Sequence, residues 1–266
     1  MSFYHAFSLL RHYALSDGSA GWRSEDIYAR NLVKIICAVP VTGEYTRTAT
    51  AVRNTMLTDS REIVITDLGT GGHSGQIRKV SDIAAASSLS QRYGVMLARL
   101  VSAELKDEAT DRGIILELGT SLGISSLYMA AAAPCCRLIT VEGCKASAEI
   151  AAGNFRSSGF ADIRVVNDEF SVALRNLQNE GTKIRFAFID GNHTGEALEE
   201  YFNTILEMAG GEFTIVADDI HNSRSMHRGW ERIKKDRRVM LSVETLRLGI
   251  LTGSQSPARG DIRLRC

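Results

Sequence analysis

The stretch Ile114–Ala133, "IILELGTSLGISSLYMAAAA", decides the fold. It reads as a continuous apolar strand carrying one acid, a turn with glycine at Gly119 and Gly123, and a helix. The requirement for glycine there is steric. Backbone that approaches a ligand closely has no room for a Cβ, and the dihedrals needed are forbidden to most side chains. The next strand, "RLITV", ends in Glu142, about 20 residues on, where nucleoside-binding turns place an acid for the ribose hydroxyls. A rival turn, "ITDLGTGGHSG" at Ile65–Gly75, fails the same test. It is followed by the polar "HSGQIRKVSD", with no helical stripe and no second strand ending in an acid, and is predicted to be a plain loop.

Working outward, the chain changes pattern at about Asp111. Residues 1–110 read as a mostly helical extension containing "SEDIYARNLVKIICAV", "GEYTRTATAVRNTMLTDS" and two helices in "VSDIAAASSLSQRYGVMLARLVSAELKD", with the short strand "EIVIT". Residues 111–266 alternate apolar runs with helices. The runs are "GIILELG", "RLITVEG", "IRVVND", "IRFAFID", "FTIVADD", "VMLSVETL" and "LGILTG". Continuous apolar strands between helices predict a doubly wound α/β domain with a mostly parallel, seven-stranded sheet. Only "RLG" separates the last two runs, so they must form an antiparallel hairpin.

The 266 residues carry a formal charge of zero, which gives no general attraction to nucleic acid or anionic membrane. "LYMAAAAPCC" is too short for a bilayer and is broken by Pro134. The N-terminus reads as an amphipathic helix rather than a signal peptide. Five cysteines without a CxxC pair speak against zinc and against a disulfide framework, and for a reducing cytoplasm. Cys135 and Cys136 are read as buried small hydrophobes. "VSDIAAASSLSQRYGVMLARLV" has the look of a helix-turn-helix, but its second helix offers only Gln91, Arg92 and Arg99 as readers. A helical cover on a cofactor, with Tyr93 in that role, or a homodimer contact is the reading adopted. No nucleic-acid or membrane partner is expected. "RIKKDRR" at Arg232–Arg238 is read as a solvated helix end, and Trp230 and Tyr201 as core or rim.

The turn "ELGTSLG" has an acid two residues before its first glycine and a GxxxG spacing, where nicotinamide binders show GxGxxG. It resembles the E/D-x-G-x-x-x-G loop of class I S-adenosylmethionine-dependent methyltransferases. Residues 112–252 are similar to the O-methyltransferases related to catechol O-methyltransferase, through "ILELGTSLGISSLYMA", "LITVEGCKASAEIAAGNF", "FAFIDGNHTGEALEEYF" and "IVADDIHNS". They also resemble a group of bacterial methyltransferases with an "IDGNHT…DDIH" pair. The resemblance implies that Glu117, Gly119, Thr120, Ser121 and Gly123 surround the methionine part of S-adenosyl-L-methionine. Glu142 would hold the ribose, and Asp168, or Glu169 beside it, the adenine amino group.

Two strand ends carry groups suited to activating an acceptor. Asp190 ends "RFAFID", with His193 just beyond it. Asp218 and Asp219 end "FTIVADD", with His221 two residues on. In the catechol-type family the matching positions bind a divalent ion, so the resemblance implies Mg²⁺ or Ca²⁺ on Asp190, Asp218 and Asp219, an oxygen-rich set suited to such ions. Three clustered carboxylates would repel without a metal or a basic partner. His193 and His221 compete as general base, a role that can replace a metal. The expected activity is O-methylation of a small-molecule acceptor. An N-methyltransferase, a metal-independent histidine-base enzyme and a non-catalytic cofactor-binding protein are the alternatives.

Overall fold

The structure, a computed structural model, describes residues 4, 12–14, 16, 25–38, 43–66, 75–105, 113–253 and 259–265. Its helices are α1 (Ile27–Cys37), α2 (Glu44–Leu57), α3 (Val80–Ser87), α4 (Gln91–Glu104), α5 (Ile124–Ala132), α6 (Lys145–Ser157), α7 (Phe170–Asn179), α8 (Gly195–Ala209) and α9 (Arg224–Ile233). Its strands are β1 (Glu62–Val64), β2 (Ile77–Lys79), β3 (Ile114–Leu118), β4 (Leu138–Val141), β5 (Arg164–Val166), β6 (Ile184–Ile189), β7 (Thr214–Ala217), β8 (Leu241–Glu244), β9 (Gly249–Thr252) and β10 (Gly260–Arg263). The chain divides into two compact units, residues 39–176 and residues 1–38 with 177–266.

In the unit of residues 39–176, β3, β4 and β5 run parallel, with Leu118 opposite Val141 and Val141 opposite Val166. Their carboxyl ends are therefore level, and Gly119 N donates to Val141 O at 2.9 Å while Glu142 N donates to Val166 O at 2.9 Å. Both faces of β3 and β4 are buried, which is why their sequences are apolar throughout rather than alternating. Two helices of the extension, α2 and α4, pack on α5, the helix that the glycine turn opens. Val95 and Ala98 of α4 and Ala49 of α2 share a buried cluster with Ile124, Leu127 and Tyr128. Gly94 permits the contact, since a Cβ there would lie 2.6 Å from Tyr128 Cδ2. Tyr128 Oη is tied to Thr50 Oγ at 3.2 Å.

The segments that flank the rival turn pair as two short strands. β1 and β2 pair antiparallel, and Ile65 and Gly75 to Gln76 continue the ladder. Asp67–Ser74, which carry the remaining glycines of that motif, lie outside the described residues.

In the other unit the strand order is β10-β8-β9-β7-β6. β6 and β7 are parallel, β9 is antiparallel to both β7 and β8, and β10 is parallel to β8. The expected last hairpin is thus β8–β9. All seven predicted runs are strands, and β10 is an addition that the sequence reading did not identify. "GDIR" is short and polar, with Ile262 its one buried residue, so it carries no apolar signal. Helices α8 and α9 touch at Gly195 and Gly229, where a Cβ on Gly229 would lie 2.6 Å from Gly195 Cα. Trp230 is fully buried beneath β9 and is core, as read.

Two cysteine expectations need correction. Cys135 is exposed and Cys136 half-buried, because Pro134 ends the helix and the following turn faces outward. Cys37 is disulfide-bonded, although the odd count spoke against disulfides. No helix among the described residues is long and apolar enough to cross a membrane.

Candidate active site

The glycine turn is built as its sequence requires. Gly119 and Gly123 sit at φ 103° and 84°, and Ser121 between them at φ 48°. A Cβ on Gly123 would lie 2.5 Å from Phe155 Cε1, so both the dihedral and the space demand glycine. Gly123 N donates to Thr120 O at 2.8 Å, closing the turn into α5. Asn154 of α6, buried, donates to Leu122 O at 2.9 Å and pins the turn from behind. That residue was missed by the sequence reading, because a polar residue within a helix gives no local sign of its target.

Glu142 stands at the end of β4 with its carboxylate already oriented. Oε2 accepts from Ser121 N at 2.7 Å and Oε1 from Cys144 N at 2.8 Å. A carboxylate oxygen has two acceptor sites, so such an oriented group can also take a hydroxyl donor. Asn167 bonds the carbonyls of Glu142 and Gly143 at 2.7 and 3.1 Å, fixing this loop to the end of β5. Asp168, next along, is half-buried and accepts from Glu169 N at 2.8 Å, whereas Glu169 is exposed. Tyr93 is half-buried on α4.

Glu117 is fully buried within a hydroxyl cluster. Its Oε2 accepts from Ser126 Oγ and from Thr140 Oγ at 2.6 Å, and Thr120 Oγ lies 2.5 Å from Thr140 Oγ. Oε1 is buried and takes no hydrogen bond among the described residues. Burial pushes this carboxyl up to about 7, the hydroxyls of Ser125, Ser126 and Thr140 pull the other way, and the charge of Glu142 adds to the rise. Between pH 4.5, its ordinary value, and about 7 the folded chain keeps a proton that the unfolded chain has released. Stability therefore falls as pH rises through that window, by about 3 kcal/mol over its whole width. Glu117→Gln is expected to flatten this slope in urea titrations run at several pH values. An unchanged slope refutes the assignment.

The glycine cradle, the presented carboxylate of Glu142 and the orphaned Oε1 of Glu117 fit an S-adenosylmethionine-type ligand, since a buried acceptor without a donor calls for one from outside the protein.

In the other unit, Asp190 follows β6 and its Oδ1 lies 3.8 Å from His193 Nε2. His193 Nδ1 is buried and takes no hydrogen bond among the described residues. The loop between them is shaped by Asn192 at φ 47°, whose side chain donates to Tyr201 Oη at 3.0 Å. Asp218 follows β7 and is fully buried. Arg247 grips it in a bidentate pair, Nε to Oδ1 at 2.6 Å and Nη2 to Oδ2 at 2.5 Å. Asp219, at φ 52°, has Oδ1 3.5 Å from Arg247 Nε. Although burial opposes the charge, the hydrogen bonds and charge of Asp218, then the charges of Asp219 and Asp190, hold the guanidinium well above its ordinary range.

Arg247 is therefore the basic partner that the clustered acids required, and sequence reasoning did not find it. A divalent ion on Asp190, Asp218 and Asp219 does not fit this arrangement. Both oxygens of Asp218 are directed to the guanidinium, whose charge adjoins the place an ion would take. His221, the second candidate base, is buried against His12 with ring centroids 5.0 Å apart, away from solvent.

Residues 116–220 match the family Methyltransf_24, described as a methyltransferase domain. The O-methyltransferase imqG of Aspergillus flavus is 26% identical over 145 residues, which cover 47% of this chain and 58% of that protein. The alignment thus spans somewhat over half of that relative's length. Among solved structures, the O-methyltransferase from Bacillus cereus in complex with SAH aligns with a TM-score of 0.56 at 18% identity, covering 88% of this chain and 99% of that one. The O-methyltransferase TomG from Streptomyces achromogenes, in complex with SAM, aligns with a TM-score of 0.56 at 18% identity over 88% and 98% of the two chains. Residues 116–220 are thus similar to a methyltransferase domain, and the glycine turn, level strand ends and antiparallel last hairpin belong to a fold shared with these solved methyltransferase structures.

Proposed function

We propose that the protein transfers the methyl group of S-adenosyl-L-methionine to a hydroxyl of a small molecule, without a divalent ion, using His193 as the base. The observation that carries the donor assignment is Glu142, held by two backbone N–H groups beside a glycine turn that no side chain can fill. When bound, the sulfonium supplies an activated methyl carbon. Glu117, Gly119, Thr120, Ser121 and Gly123 hold the methionine part, Glu142 the ribose hydroxyls and Asp168 the adenine.

His193 takes the acceptor's hydroxyl proton as the oxygen displaces the methyl from sulfur, leaving the neutral thioether and a methyl ether. Asp190, facing Nε2, steadies the imidazolium that results. Arg247 supplies a fixed positive charge among the acids, the part the ion plays in the resemblance. Helices α2 and α4 of the extension back the helix that the glycine turn opens, and a homodimer is the accompanying expectation, which sedimentation measures.

Calorimetry with S-adenosylhomocysteine tests the donor site. Each charge-assisted hydrogen bond lost in Glu142→Ala is worth about 1.5–3 kcal/mol, so affinity is expected to fall at least about 100-fold. Micromolar binding retained by the variant, or no binding by the wild type below millimolar, removes the assignment. Methyl transfer is expected to proceed undiminished in the absence of Mg²⁺ and Ca²⁺. A rate that returns only with Mg²⁺ or Ca²⁺ would refute the metal-free reading.

A further inference from the structure

We propose that His12, His221 and Glu244 form a zinc site that fastens the N-terminal segment to the strand-end loop after β7 and to β8. All three are buried, and one ligand atom from each lies within 4.8 Å of the others. Cysteine counting could not reveal such a site, because none of its ligands is a cysteine.

The tautomer of His12 follows from its neighbours. Nε2 lies 2.9 Å from the carbonyl oxygen of Leu264, which can only accept, so Nε2 carries a proton and Nδ1 is the nitrogen left to ligate a metal. Nδ1 is buried, takes no hydrogen bond among the described residues and lies 3.9 Å from Glu244 Oε2. A ring whose outer nitrogen is anchored on a carbonyl and whose inner nitrogen is left to ligate is arranged as metal-ligating histidines are. Burying that nitrogen unsatisfied costs about 1–3 kcal/mol, a cost an ion would remove.

Glu244 is similarly divided. Oε1 accepts from Trp230 Nε1 at 2.8 Å and from Lys234 Nζ at 2.5 Å. Oε2 faces His12, with Arg263 Nε at 3.3 Å. The two cations do not leave the place positive, since Glu231 and Asp261 also pair with Lys234, giving three carboxylates to two cations. His221 closes the set, its ring tilted 55° to that of His12. Two imidazoles and one carboxylate suit zinc, with a water as fourth ligand. Mg²⁺ and Ca²⁺ prefer all-oxygen sets. An ion here would join positions far apart in sequence, so its binding energy becomes folding energy. Because His221 is two residues beyond Asp219, it would also hold the loop that carries the acids.

The test uses the full chain, stripped with a chelator and titrated with ZnCl₂ against a chromophoric competitor. A single ion at submicromolar affinity is expected, with a rise in Tm on zinc addition and, on Co²⁺ substitution, the visible absorption of a four-coordinate site. Because Glu244 also holds Trp230 and Lys234, the decisive variant is His12→Gln, whose amide can still donate to Leu264. It is expected to lose more than the roughly 10–100-fold in affinity that removal of an outer partner costs. Should that variant fail to fold, the wild-type titration decides alone. No zinc bound by the wild type at micromolar concentrations, or equal affinity in a folded His12→Gln, overturns the proposal.

Discussion

Arg247→Met is expected to destabilise the chain by about 3–5 kcal/mol, because it strands a fully buried carboxylate whose two oxygens both depend on that guanidinium. For a domain with a total stability of about 5–15 kcal/mol this is a large share of the whole. The companion variant, Arg247→Met with Asp218→Asn, removes both charges and is expected to recover a good part of the loss, since replacing a buried pair together is far cheaper than breaking it. Urea denaturation of the two variants checks both statements. If Arg247→Met alone stays within about 1 kcal/mol of wild type, Asp218 is satisfied by something other than Arg247 and the objection to a divalent ion weakens with it.

His193→Ala is expected to lower kcat by about 10²–10⁴-fold, the usual contribution of a positioned general base. S-adenosylhomocysteine affinity and Tm should change little, because His193 lies in the other compact unit from the glycine turn and its Nδ1 makes no bond among the described residues. Asp190→Asn should give a smaller loss, since Asp190 acts on the ring rather than on the acceptor. A fall of less than about tenfold in His193→Ala would remove the histidine from the chemistry. A parallel collapse of Tm would make its role structural instead.

Much of the donor side was legible in the sequence. The strand, the glycine turn, its helix and the terminal acid Glu142 are local, and local sterics and period make them readable one after another. The antiparallel hairpin of β8 and β9 was legible for the same reason, because so short a connection permits no crossover. Helices α1 to α4 were legible as elements but not by their purpose, since nothing in "QRYGVMLARLV" announces that Gly94 exists to admit the ring of Tyr128.

The acid edge was read only in half. The sequence by itself determined that carboxylates would gather after β6 and β7, and that some cation must face them. Only the tertiary structure decided which cation. The antiparallel register sets Ala217 against Gly249, and this brings Arg247 from the hairpin turn onto Asp218, 29 residues away. His12 meets Leu264 across 252 residues in the same way. Such partners are chosen by strand order and register rather than by spacing along the chain, and the energy of a buried charge depends on who stands opposite it.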